Sequence, residues 1–204
     1  MPYGHPKFGK LIACPECGQD RAEAALARLS GLSPELRALA FEQTVPLHPE
    51  VKAAAERLAA DPRWFFTLAG PPGRGKTHIL ACLVNAGIAA GYTSVYTTTA
   101  ELLDHLRATF RPDAPLTFDD LWERVMAARI LALDEVDRMN ATPFAVEKFF
   151  ELVDVRYRHG ADRLTAFATN SAIDDLPEYL VSRMRDKRSA LFELAGVDVR
   201  QVRE

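Results

Sequence analysis

The feature that most constrains the fold is a glycine-rich octapeptide, Gly70-Pro71-Pro72-Gly73-Arg74-Gly75-Lys76-Thr77, placed directly behind an apolar run. Its spacing is G-x-x-x-x-G-K-[ST], a loop that wraps a polyphosphate between a buried strand and a helix. The run before it, Trp64 to Leu68, suits a strand covered on both faces. Phosphate charge has to lie against backbone N–H groups, and Gly73 and Gly75 let the backbone curl that closely because no Cβ intervenes. The helix opening near Lys76 adds its positive end. Lys76 is placed to reach the outer phosphates and Thr77 to give an oxygen to Mg2+, with His78 following in the first turn. The expected nucleotide-binding set is therefore Gly70, Pro71, Pro72, Gly73, Arg74, Gly75, Lys76, Thr77 and His78. A chance match in a chain of this length has odds of roughly one in a hundred, and the strand and helix on either side lower them further.

Beyond the loop, short buried runs alternate with helical patterns. Thr93 to Thr99, Ile130 to Leu133, Leu164 to Ala168 and Ala190 to Leu194 read as further strands. Leu80, Leu83, Val84 and Ile88 mark one helical stripe, and Leu102, Leu103, Leu106 and Phe110 a second. Thr117 and Asp120 form a capping box before a third helix. Thr142-Pro143 opens a long one with Val146, Phe149, Phe150, Val153 and Tyr157 inward, and Pro177 to about Lys187 is the last. The alternation predicts an α/β fold, a five-stranded parallel sheet flanked by helices. Ahead of it, Ser33-Pro34 caps a short helix running to near Phe41, and His48-Pro49 starts another that ends at Asp61-Pro62. The expected division is an extension over 1–30, a helical linker over 31–62 and the nucleotide-binding core over 63–204.

The formal net charge of −3 excludes a generally basic nucleic-acid coat. No apolar run approaches the roughly 18–20 residues of a membrane span, so no membrane partner is expected. Three cysteines, an odd number, make a disulfide framework improbable and favour a reducing, cytoplasmic setting.

The third strand ends in acids: Ile130-Leu131-Ala132-Leu133-Asp134-Glu135-Val136-Asp137. Adjacent carboxylates at the end of a buried strand are costly unless a cation or a reaction uses them. Asp134 is expected to join Thr77 in holding Mg2+, and Glu135 to polarise the attacking water.

With these residues in place the chain resembles the AAA+ ATPases and, among them, the DnaC/IstB-type helicase loaders and transposition helpers, over roughly residues 31–200. Ala168-Thr169-Asn170 matches the sensor-1 position at the end of the fourth strand, which implies that Asn170 holds the attacking water or the γ-phosphate. Leu180-Val181-Ser182-Arg183-Met184-Arg185-Asp186 resembles box VII, which implies that Arg183 reaches into a neighbouring subunit's site, with Arg185 as the second choice. Asp198-Val199-Arg200 resembles the sensor-2 position and makes Arg200 a phosphate contact from the same chain. Phe41 to Pro46 resembles the loader stretch entering the core, where Phe41 or Val45 would lie near adenine or pack in the core. With the sequence ending at residue 204, no full lid domain is expected, as in the short loaders it resembles.

The resemblance implies ATP and Mg2+ as ligands, hydrolysis at interfaces between copies, and a replicative helicase as partner, with a transposase as the alternative. Arg107, Phe110 and Arg111 lie where the group elaborates its single-stranded DNA contacts, so weak, salt-sensitive, ATP-enhanced DNA binding is expected. Cys14-x-x-Cys17 is half of a structural zinc site, with His5 a third ligand and no evident fourth. Zinc, an inert or docking tail, and redox chemistry are the open readings of that segment.

Overall fold

The computed structural model describes residues 29–43, 48–196 and 198. Strands β1 (Trp64–Ala69), β2 (Ser94–Thr98), β3 (Ile130–Asp134), β4 (Leu164–Thr169) and β5 (Ala190–Glu193) form one sheet in the order β2-β3-β4-β1-β5. Every neighbouring pair is parallel. The helices are α1 (Pro34–Arg37), α2 (Pro49–Ala60), α3 (Lys76–Ala89), α4 (Thr99–Ala108), α5 (Phe118–Ala127), α6 (Pro143–Arg158) and α7 (Glu178–Met184).

Strand alternation divides the core in two. Phe65, Val95, Leu131, Leu133 and Phe167 face α4, α5, α6 and α7. Phe66, Leu68, Ile130, Ala132 and Ala166 face α2 and α3. Strands buried on both sides explain why these runs lack a polar alternation. Leu29 belongs to the first core, and Leu32 and Phe41 to the second.

Local chemistry sets the element ends. Thr98 caps α4 through a capping box with Glu101, so β2 passes directly into the helix one residue before the strand end expected at Thr99. Thr117 and Asp120 cap α5 as expected. Helix α1 ends at Arg37 and the chain regains a 3-10 turn only at Phe41–Gln43. Helix α7 stops at Met184, because the Asp186 carboxylate accepts the Arg188 N–H at 2.9 Å and turns the chain.

Three apolar residues expected inward point to solvent. Ile88 is 52% exposed, Val146 42% and Phe150 45%. In α6 the buried stripe is Ala145, Phe149, Leu152, Val153 and Arg156, a regular helical spacing. Val146 and Phe150 each lie one residue, about 100°, around the helix from it.

Candidate nucleotide site

The parallel register brings the carboxyl ends of the strands to one edge, where ligands bind in open α/β sheets. Ala69 pairs with Thr169, and Thr98 with Asp134, so the loops after β1, β3 and β4 meet there. Between them lies a cleft of about 540 Å³ lined by Pro72 to His78, by Asp134, Glu135, Arg138 and Asn170, and by Leu36 and Leu39. The two leucines form an apolar wall beside the phosphate loop. Phe41 is instead buried in the core, and Val45 lies outside the described residues.

The loop is built on left-handed glycines, Gly73 at φ +79° and Gly75 at φ +77°, with Gly75 also serving as N-cap of α3. Lys76 is buried, and its Nζ donates to the Gly70 and Pro71 carbonyls at 2.5 and 2.8 Å. Arg74 Nε and Nη1 and His78 Nε2 are buried without hydrogen-bond partners. Burial also lowers the His78 pKa from its ordinary value, favouring the neutral ring. Buried N–H donors such as those of Arg74 are costly without acceptors, and a polyphosphate would supply them. The Asp198 side chain crosses beside Gly73, where any Cβ would collide with it.

Asp134 is 4% exposed and held at both oxygens. Oδ2 accepts from Thr77 Oγ1 at 2.6 Å and from Tyr96 Oη at 2.8 Å; Oδ1 accepts from the Glu135 N–H at 2.8 Å. Burial, then the neighbouring carboxylate, raises the Tyr96 phenol pKa far above its usual range. Thr77 and Asp134 are hard oxygen donors side by side, a pair that fits Mg2+ completed by phosphates and water. Among the described residues no group of three or more His, Cys, Asp or Glu is placed to hold a metal ion.

Glu135 has φ +52° and ψ +47°, a left-handed conformation that costs a non-glycine residue about 1–2 kcal/mol. Such strain clusters at functional positions. Its carboxylate pairs with Arg138 at 3.2 Å. Asn170 lines the cleft, fixed by Asp137, whose Oδ1 accepts the Asn170 N–H at 2.9 Å and the Thr169 hydroxyl at 3.1 Å. Tyr96, Asp137 and Arg138 are site residues that motif reading missed. Only Asp137 and Arg138 carried a signal, by following the strand-end acids.

Arg183 lies outside this cleft. It donates to Asp154 at 2.7 Å and to the Tyr179 carbonyl at 2.8 Å, and its guanidinium lies 5.5 Å from the Tyr157 ring centre. Its side chain is 21% exposed, against 48% for Arg185, which pairs with Asp174. Arg107 is paired with Asp104, while Phe110, 63% exposed, stacks on Phe118 at 5.6 Å. Arg200, Cys14, Cys17 and His5 lie outside the described residues. Among those described, no helix is long and apolar enough to cross a membrane.

A parallel sheet in this order, with a phosphate loop after β1 and an acidic end to β3, defines a P-loop protein of the AAA+ fold. Residues 36–176 match the family described as IstB-like ATP binding protein, and the chain belongs to that family. It is 25% identical over 122 residues to the replicative helicase loader DnaC of Escherichia coli (strain K12), covering 60% of this chain and 49% of DnaC. It is 27% identical over 139 residues to an ATP-binding protein of insertion sequence IS5376 from Geobacillus stearothermophilus, covering 64% and 53%. The chain thus spans about half the length of these curated relatives. AMPPCP-bound DnaA from Aquifex aeolicus shares the fold, with a TM-score of 0.66 at 20% identity over 84% of this chain and 54% of that one.

Proposed function

We propose that this chain is a Mg2+-dependent ATPase that loads or remodels a replicative helicase, with hydrolysis at the contacts between copies. The observation that carries the chemistry is the convergence of Lys76, Thr77, Asp134, Glu135 and Asn170 on one cleft. Mg2+ held near Thr77 and Asp134 would neutralise charge on the β- and γ-phosphate oxygens. Lys76 leaves the loop carbonyls for the outer phosphates. Glu135 takes the proton of the attacking water as general base, and Asn170 orients that water. Arg183 comes from a neighbouring copy, exchanging Asp154 for phosphate, and Arg200 contacts the phosphates from its own chain.

The helicase part of the proposal draws on the likeness to DnaC. Residues 1–30, with Cys14 and Cys17, serve as the docking extension; 31–62 lead into the core over 63–204. Zinc at Cys14 and Cys17 is a second reading of that extension, which lies outside the described residues. Arg107, Phe110 and Arg111 contact single-stranded DNA, since an exposed aromatic beside cations suits base stacking and phosphate contact. The negative net charge and the Asp104–Arg107 pair keep that contact weak. A second reading, an ATPase helper of a DNA transposase, is favoured by the family match and the insertion-sequence relative.

The test is capture from native lysate with Glu135→Gln and ATP, with Lys76→Ala as control. Recovery of a replicative helicase only with ATP and Glu135→Gln is the expected outcome. Recovery of a transposase selects the second reading, and equal recovery by both variants refutes ATP control.

A further inference from the structure

The carboxylate expected beside Mg2+ is held by a residue that belongs to no nucleotide-binding motif. Tyr96 lies mid-strand in β2, 4% exposed, and pairs with Ala132, two residues before Asp134. From there its hydroxyl reaches Asp134 Oδ2 at 2.8 Å, the oxygen that also accepts from Thr77 at 2.6 Å. A buried carboxylate needs hydrogen bonds to offset its lost hydration. A threonine hydroxyl has one proton and two lone pairs, so Thr77 can donate to Asp134 while giving a lone pair to a cation. The Tyr96 hydroxyl also lies within hydrogen-bonding reach of the Thr77 side chain, so it packs against both oxygens expected beside the cation.

We propose that Tyr96 is a positioning residue for the nucleotide's Mg2+: its hydroxyl locks the Asp134 carboxylate so that Asp134 and Thr77 face the same cation. The inference rests on the Mg2+–nucleotide reading of the cleft and adds a residue to it. Loss of the phenol oxygen leaves Asp134 Oδ2 held by Thr77 alone and Oδ1 by the Glu135 N–H, so the carboxylate is less tightly fixed about its last side-chain bond, while the ring keeps filling the core beside α3.

The test is Tyr96→Phe, read by equilibrium binding. A fluorescent, non-hydrolysable ATP analogue is titrated in EDTA and in Mg2+, and Mn2+ uptake by the protein–analogue complex is followed by electron paramagnetic resonance. Affinity in EDTA should match wild type, whereas Mn2+ affinity should fall about 10-fold, the lower end for loss of a partner behind a metal ligand. In an Asp134→Ala background, which has no carboxylate to orient, Tyr96→Phe should cost much less than in the wild type, since coupled residues are non-additive. Wild-type Mn2+ affinity in Tyr96→Phe would overturn the proposal. So would an equal loss in EDTA, which would mark a packing defect, or full additivity with Asp134→Ala. Failure of the wild-type chain to bind the analogue more tightly with Mg2+ would instead bring down the underlying reading of the site.

Discussion

Asp137 does its work through one oxygen. By accepting the Asn170 N–H and the Thr169 hydroxyl, it ties the turn after β3 to the end of β4. Glu135 lies two residues earlier, in a left-handed conformation. The two residues proposed to handle water are thus set by one short turn. Asp137→Ala should lower kcat for ATP by about 100-fold, as expected for loss of orientation at a reacting centre, with KM little changed. Asp137→Asn retains an acceptor oxygen and should recover most of the rate. Steady-state kinetics on the two variants decide it, and equal rates for Asp137→Ala and wild type would remove Asp137 from the site. Tyr96 shows why part of the site was hidden in the sequence. Lys76, Thr77 and the Asp134–Glu135 pair are contiguous with their motifs. The hydroxyl of Tyr96 meets Asp134 only because β2 and β3 align in a particular register, and a tyrosine in an apolar strand looks like core.

The elements were legible where periodicity and caps agreed. All five strands stand to within a residue at each end, and the Thr117–Asp120 capping box and the Thr142-Pro143 helix start stand as read. What patterning could not supply was the rotation of α6, because its buried stripe includes a charge. Arg156 is fully buried, with Nε on Thr165 Oγ1 at 2.7 Å and Nη2 on the Leu164 carbonyl at 2.7 Å. Nη1 meets the carbonyls of Val125, Met126 and Ala128 at 3.0–3.1 Å. A cation there satisfies the last carbonyls of α5, which have no intrahelical partners. Excluding Arg156 from the inward face makes Val146 and Phe150 look buried in its place. Arg156→Ala would leave several buried acceptors unsatisfied and should cost about 3 kcal/mol or more. For a chain of this size that lowers Tm by about 6–12 °C, measured by thermal unfolding. A drop of a degree or two would show that water replaces the guanidinium without penalty.

At the scale of the whole molecule, the phosphate loop, acidic strand end and Asn170 form one cleft, whereas Arg183 is kept away from it by Asp154 and Tyr179. On the proposed mechanism one copy binds ATP and a second copy supplies the missing cation. The decisive measurement is the ATP hydrolysis rate per chain across a wide range of protein concentration, for wild type and Lys76→Ala. The rate per wild-type chain should rise with concentration as copies associate, and Lys76→Ala should be inactive throughout. A rate per chain that stays constant to the lowest concentration, or persists in Lys76→Ala, would contradict catalysis at this loop between copies.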